Sequence, residues 1–153
     1  IHGKCVGGGV GLAAACDYAF ALETASVKLS ELAVGIGPFV IGPAVERKMG
    51  LSSFSQLAID ASNFRTADWA RRKGLFASIH QTTEAMDEAV SNLAHQLVAR
   101  SPMAMADIKK MLWQGTHHWD SLLAERAAMS GKLVLSDYAK AAIAAFKNAN
   151  SKT

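Results

Sequence analysis

The sequence predicts an α/β fold in which a layered first third is followed by a mainly helical region. Short β-like stretches at residues 16–22 and 25–29 lie among glycine-rich turns, and an alanine-rich helix follows Gly9. From Ser52 onward, helix-start signals repeat and apolar residues recur at helical spacing. We therefore expect an α/β region over residues 1–51 and a helical region over residues 52–153.

The first element is a glycine cluster, Gly7, Gly8 and Gly9, that leads directly into the alanine-rich helix. Without Cβ atoms, this turn lets a carbonyl oxygen approach main-chain N–H groups. Such groups at a helix start carry partial positive charge and can hold an oxyanion. The cluster predicts a site for a polarised carbonyl, although a tight turn before a close-packed helix explains it equally well.

Nucleotide-binding motifs are absent from this turn. A phosphate loop needs Gly-Lys followed by Ser or Thr after its glycines, and the dinucleotide fingerprint needs a glycine where Leu12 stands. We therefore exclude both motifs.

The helical region is divided by start and stop signals. A strand-like stretch at residues 76–79 interrupts it, and a stripe of apolar side chains over residues 84–100 predicts one inward face. The predicted starts are Ser52-Ser53, Thr66-Ala67-Asp68, Thr83-Glu84 and Ser101-Pro102, the predicted stop is Gly74, and the stripe comprises Met86, Ala89, Val90, Leu93 and Leu97.

Composition limits the class of partner. The chain has 153 residues, 50% of them hydrophobic, and a formal net charge of +3 from scattered basic residues without interleaved aromatic ones. Nucleic-acid binding is therefore disfavoured, and no apolar run is long enough to span a bilayer. Cys5 and Cys16 lack the spacing of a zinc or redox motif, so we expect both to be buried free thiols in a reducing compartment. Of such compartments, we expect the bacterial cytoplasm in preference to an organelle.

The adjacent histidines His117 and His118 suggest a metal site only weakly. Neighbouring helix positions point to different faces, and no carboxylate or cysteine completes a ligand set. We expect a surface or interface role for both residues and no metal in this protein.

Several stretches together resemble the crotonase family, the enoyl-CoA hydratase/isomerase family. The resemblance implies a ββα spiral, of which this chain would be the C-terminal portion with the N-terminal half missing. It also implies C-terminal helices that form a homotrimer, often as a dimer of trimers, and that help to cover coenzyme A. The matching stretches are Gly-Lys-Cys-Val-Gly-Gly-Gly at 3–9, Cys16-Asp17, Leu29-Ser30-Glu31-Leu32, residues 33–38, residues 64–70 and Lys73-Gly74-Leu75.

The resemblance assigns the chemistry to Gly8 and Glu31. The Gly8 N–H would be one oxyanion donor, with a second donor from the missing half. Glu31, between apolar neighbours, would have its pKa raised by desolvation and would exchange protons near neutral pH. From its pattern alone, Glu31 is more often a solvated glutamate at a strand edge.

Family hydratases use a second glutamate at the position that Gly11 occupies here. One carboxylate still suffices for a 1,3-proton shuttle, so we expect double-bond isomerisation of an enoyl-CoA thioester. The alternatives are a hydratase that uses one glutamate, related thioester chemistry such as decarboxylation, a non-catalytic acyl-CoA-binding homologue and, from the basic balance only, an RNA-binding subunit. The expected substrate contacts are Gly7, Gly9, Gly11, Pro38 and Phe39, with Phe146 and Lys147 near coenzyme A, and no cofactor is expected beyond the substrate's own coenzyme A.

Overall fold

The computed structural model describes residues 1–150, and side chains through residue 148. Short strands alternate with helices up to residue 80, and helices alone follow. The elements are β1 (Lys4–Val6), α1 (Gly8–Ala15), β2 (Phe20–Leu22), β3 (Ser26–Lys28), a 3-10 turn (Leu32–Val34), α2 (Gly42–Met49), α3 (Leu51–Ile59), β4 (Arg65–Thr66), α4 (Ala67–Arg72), β5 (Ser78–His80), α5 (Thr83–Val98), α6 (Pro102–Leu112), α7 (Trp119–Val134) and α8 (Asp137–Asn150).

The strands form two small sheets. In the first, β1 pairs in parallel with β3, with Cys5 opposite Val27, and β3 pairs antiparallel with β4. In the second, β2 pairs in parallel with β5, with Ala21 opposite Ile79. Parallel neighbours require a crossover connection, which α1 supplies between β1 and β3. Each sheet therefore joins a strand before residue 29 to a strand after residue 64.

The core lies between these sheets and helices α1 to α4. Small side chains on α1, Ala13 and Ala14, are buried and let this helix pack closely against α2. Burial of each large aliphatic or aromatic side chain contributes about 1.5–3 kcal/mol. The largest fully buried side chains are Phe76, Leu29, Leu57, Leu75, Val10, Val27 and Val45.

Several local predictions are confirmed. Thr66 and Ser101 cap α4 and α6 by accepting hydrogen bonds from Trp69 N and Ala104 N. Gly74 follows α4 with φ +83°, a conformation that favours glycine. The strand-like interruption is present as β5.

Other predictions differ from the structure. Helix α2 was not predicted; it begins at Gly42, where Pro43 suits a first helical turn, and Gly50 (φ +78°) separates it from α3. Strand β4 was not predicted, since two residues carry too little pattern. Cys5 is buried as expected, but the prediction for Cys16 is wrong: it is exposed because it ends α1 at the surface.

The inward stripe predicted for α5 is only partly buried. Met86 is buried, whereas Val90 and Leu97 are 43% and 45% exposed. Helices α6 and α7 contain no fully buried residue. Between residues 1 and 150, none of the helices is both long and apolar enough to cross a membrane.

Helix α6 is attached to the end of α1 through Asp17. The Asp17 carboxylate accepts hydrogen bonds from Lys109 Nζ at 2.5 Å and from Trp113 Nε1 at 2.7 Å. These bonds lower the pKa of Asp17, the bond from Lys109 contributing most. The Arg47 guanidinium lies 4.5 Å from the centre of the Trp113 ring, which adds a cation–π contact.

Candidate active site

The glycine turn between β1 and α1 presents the Gly8 N–H without an acceptor in the helix. Gly7 N donates to Lys28 O at 2.9 Å, which fixes the end of β1 against β3. Gly8 is the first residue of α1, so its N–H has no acceptor within that helix. Apart from its chain neighbours and the backbone of α1, no heavy atom of the described residues lies within 4 Å of the position that a Cβ on Gly8 would take. A ligand oxygen can therefore approach this turn.

Glu31 is held next to the turn by its own backbone. It precedes the 3-10 turn, and its carbonyl oxygen accepts hydrogen bonds from Val34 N at 3.2 Å and Ile36 N at 3.0 Å. Its side chain points back to the glycines, since Oε1 lies 2.9 Å from the position of a Cβ on Gly7. Gly7 also has φ +54°. Residue 7 thus requires glycine for its conformation and for the approach of Glu31.

The Glu31 carboxyl group is poorly solvated. Oε2 is buried and has no hydrogen-bond partner among the residues that the structure describes. Burial raises the pKa of Glu31 above its ordinary value, because the charged form loses hydration. An unpaired buried carboxyl oxygen is costly in a protein that has nothing to bind there. Glu31 is therefore poised to hold a proton or to accept a hydrogen bond from a ligand.

Gly8 and Glu31 share one cavity of about 230 Å³. Apart from Glu31 and one serine, its lining side chains are apolar, which explains the desolvation. The lining residues are Gly8, Glu31, Ile36, Gly37, Pro38, Phe39, Val40, Ile41 and Ser130.

Phe39 forms part of the cavity wall by folding over Gly37. A Cβ on Gly37 would lie only 2.5 Å from Phe39 Cε1, closer than real contacts allow. Gly37 is not among the glycines with positive φ, so its conformation does not require glycine. Residue 37 is glycine to accommodate the Phe39 ring.

Gly11 and Gly9 lie outside this cavity. A Cβ on Gly11 would lie 2.5 Å from Ile41 Cγ2, so the space beside Gly11 is filled by Ile41. Gly9 faces Cys5, whose Sγ lies 3.5 Å from the Gly9 Cβ position, and lines a separate groove of about 640 Å³. Neither glycine brings its α-carbon to the Glu31 cavity.

Phe146 and Lys147, expected near coenzyme A, are exposed on α8, and neither lines the cavity. His117 and His118 are exposed with their ring centres 5.5 Å apart. In the described part of the chain, no group of three or more His, Cys, Asp or Glu side chains could hold a metal ion.

Ser130 is the polar lining residue that the sequence analysis did not identify. It lies in α7, is half-buried, and its hydroxyl donates to Arg126 O at 3.2 Å. Nothing in its local sequence distinguishes it from the other serines of α7 and its flanks. Only the packing of α7 against the segment after Glu31 brings it to the cavity.

The chain has a crotonase-like α/β fold, with a glycine turn and a desolvated carboxyl group at one cavity. These features place it in the crotonase class of proteins. The chain belongs to the enoyl-CoA hydratase/isomerase family, because the model of that family, described as "Enoyl-CoA hydratase/isomerase", matches residues 1–150.

Relatives within this family carry two kinds of name. The chain is 31% identical over 116 residues to the peroxisomal Delta(3,5)-Delta(2,4)-dienoyl-CoA isomerase of Arabidopsis thaliana. This match covers 73% of the chain and 40% of the relative. The chain is 29% identical to the short-chain-enoyl-CoA hydratase of Clostridium acetobutylicum, covering 95% of the chain and 56% of the relative.

Solved structures share the fold. An enoyl-CoA hydratase from Mycobacterium avium superposes with a TM-score of 0.87 at 26% identity, over 97% of this chain and 58% of that one. The chain spans about half the length of the curated relatives it matches, from 40% to 56% of the two named above.

Proposed function

We propose that this chain carries the acid/base residue and one oxyanion donor of an enzyme that acts on enoyl-CoA thioesters, chiefly by moving the double bond. The observation that carries this proposal is the shared cavity of Gly8 and Glu31. The residue with the open main-chain N–H and the residue with the unpartnered carboxyl oxygen line the same apolar space. These are the two groups that proton transfer next to a thioester carbonyl requires.

The Gly8 N–H would stabilise the oxyanion. As a proton leaves the α-carbon, negative charge moves onto the thioester oxygen, and a donor at a helix start lowers the energy of that enolate. The family resemblance implies a second donor from a part of the family fold outside the matched region, and the matches cover 40% and 56% of the two relatives named above.

Glu31 would carry the proton. Its carboxylate takes a proton from the α-carbon of a 3-enoyl thioester and returns it at the γ-carbon, so that the double bond moves to the 2-position. The raised pKa supports this role, because a base must bind the proton strongly enough to remove it and release it again. One carboxyl group completes the cycle.

Isomerisation is favoured because Glu31 supplies the one carboxyl group among the described residues that line the cavity. Ile41 fills the space beside Gly11, so the position leaves no room for a second acid. Hydration with Glu31 alone is the alternative, and the family contains a relative named as a hydratase. A non-catalytic acyl-CoA-binding homologue would have no need of a desolvated Glu31.

Further substrate contacts follow from the cavity wall. Pro38 and Phe39 would contact the acyl chain, whereas Gly7 and Gly11 would act by admitting Glu31 and Ile41. Gly9, Phe146 and Lys147 remain predicted substrate contacts that this cavity does not include.

We also propose that the chain assembles as a homotrimer or a dimer of trimers. Helices α5 to α8 expose large apolar side chains, which is typical of subunit interfaces. Among the most exposed of these apolar side chains are Val98 (85%), Met103 (79%), Tyr138 (70%), Leu135 (68%) and Met111 (64%). Sedimentation of the full-length protein tests the proposed assembly, and a monomer at micromolar concentration would contradict it.

The cytoplasmic location stays a prediction from the two free cysteines.

The deciding experiment assays the full-length protein on 3-enoyl-CoA and 2-enoyl-CoA in parallel. Glu31→Gln keeps the shape of the side chain and removes the base, and Glu23→Gln, at an exposed position, is the matched control. We expect isomerisation to exceed hydration and to fall at least a hundredfold in Glu31→Gln only. Dominant hydration would favour the alternative, and no turnover of either substrate would favour the non-catalytic homologue.

A further inference from the structure

Among the described residues, the C-terminal helices contribute Ser130 of α7 to the wall of the Glu31 cavity. The remaining wall comes from Gly8 and from the segment between Glu31 and Ile41. Among the lining side chains, Glu31 and Ser130 are the two polar ones. A polar group in an apolar wall is tolerated only where hydrogen bonds satisfy it.

The Ser130 hydroxyl is partly satisfied. It donates its proton to Arg126 O at 3.2 Å, within its own helix. A hydroxyl oxygen also has two lone pairs, so Ser130 Oγ remains available as an acceptor. Glu31 Oε2 likewise has no partner in the described residues. Ser130 Oγ and Glu31 Oε2 are thus two acceptors on residues that line one cavity, and each can take a hydrogen bond from a donor bound there.

We infer that Ser130 holds the water that Glu31 activates and so sets how much hydration accompanies isomerisation. This inference rests on the proposed function. It makes Ser130 a specificity residue, because only one of the two reactions uses water.

The two reactions place different demands on Ser130. In hydration, Glu31 takes one proton from water as the water oxygen bonds to the β-carbon of a 2-enoyl thioester, and Glu31 then delivers that proton to the α-carbon. The water's second proton stays on the new hydroxyl, where Ser130 Oγ accepts its hydrogen bond. In isomerisation, one proton leaves the α-carbon for Glu31 and returns at the γ-carbon, and no water takes part.

The test compares Ser130→Ala with Ser130→Thr, which keeps the hydroxyl, in the full-length protein. Ser121→Ala is the matched control, since Ser121 also lies in α7 and donates to a backbone carbonyl, His118 O, but is exposed and lies outside the cavity. The readout is kcat/KM for hydration of 2-enoyl-CoA and for isomerisation of 3-enoyl-CoA. Thermal denaturation of each variant is measured alongside.

We expect hydration to fall about fivefold to tenfold in Ser130→Ala, the size of one lost hydrogen bond, with isomerisation changed less than about twofold. Ser130→Thr is expected to keep most of the hydration. An unchanged ratio of the two rates, or an equal fall in both, would overturn the inference and leave the proposed function intact. Isomerisation by the wild type with no measurable hydration would also overturn it, whereas a wild type without either activity would defeat the proposed function itself.

Discussion

Oε1 of Glu31 lies 2.9 Å from the position that a Cβ atom on Gly7 would occupy. A side chain at residue 7 and the carboxyl group of Glu31 therefore compete for the same space. Because Gly7 also has φ +54°, any other residue would in addition strain the backbone that presents the Gly8 N–H. The proposed oxyanion donor, Gly8, and the proposed acid/base residue, Glu31, therefore both depend on Gly7.

Gly7→Ala is expected to abolish measurable isomerisation and to lower the free energy of unfolding by about 1–2 kcal/mol from backbone strain alone. Steady-state kinetics and chemical denaturation measure the two effects. Gly3→Ala is the control, because a Cβ on Gly3 would meet nothing within 4 Å. Retention of full activity by Gly7→Ala would show that Glu31 does not act from this position.

The pH dependence of isomerisation should report the raised pKa of Glu31. The carboxylate form is the base, so kcat/KM should rise with pH through that pKa and reach a plateau above it. The midpoint should lie above the ordinary value of a glutamate, because burial disfavours the charge. A rise centred at or below the ordinary value would contradict the desolvation of this carboxyl group.

The contribution of Glu31 to the free energy of unfolding should fall as pH rises, whereas kcat/KM rises. The folded state binds the Glu31 proton more tightly than the unfolded state, so this group's contribution to stability is present below the unfolded pKa. It is lost as pH rises through the folded one. Glu31→Gln should therefore be more stable than the wild type at neutral pH, and the difference should shrink as pH falls through the folded pKa and be gone below about pH 4. Thermal denaturation across this range, with Glu23→Gln as control, checks it; a variant less stable at neutral pH would disagree.

Phe39→Ala should widen the range of acyl chains accepted. Removal of the ring that folds over Gly37 enlarges the cavity beside Glu31 without touching the carboxyl group. We expect kcat/KM for longer or branched enoyl-CoA substrates to rise several-fold relative to the shortest ones. A series of acyl lengths measures it, with Phe64→Ala as control, since Phe64 packs beneath Lys28 away from the cavity. If kcat/KM depended on acyl length in the same way in Phe39→Ala as in the wild type, Phe39 would not be a contact of the acyl chain.

Asp17→Ala should loosen α6 from the end of α1. It removes the acceptor for Lys109 and Trp113, and exposed charged hydrogen bonds of this kind contribute about 1 kcal/mol together. Limited proteolysis near residues 99–101 should become faster. Asp107→Ala, which loses only the exposed pair with Lys110, is the control and should behave like the wild type.

The lowered pKa of Asp17 makes its contact with Lys109 and Trp113, which anchors α6, sensitive to pH. Its stabilisation should be present above the unfolded pKa and be lost as pH falls through the folded one. Equal proteolysis of Asp17→Ala and the wild type at neutral pH would show that the anchor contributes nothing.

The amino-acid sequence by itself determined the features that depend on neighbouring residues. The glycine cluster before an alanine-rich helix, the threonine and serine caps of α4 and α6, and the stop at Gly74 all follow from preferences that act over one helical turn. The expectation that Glu31 is desolvated also started from its apolar neighbours, together with a family resemblance that the match over residues 1–150 confirms.

Only the tertiary structure decided which of these features meet. Ser130 reaches the Glu31 cavity because α7 packs there, Ile41 fills the space beside Gly11, and Cys16 is exposed because α1 ends at the surface. The physical reason is that such contacts join residues far apart in the chain, and their free energy comes from close packing rather than from local backbone preference. Local pattern located the glycine turn and the carboxyl group, and packing placed them on one cavity.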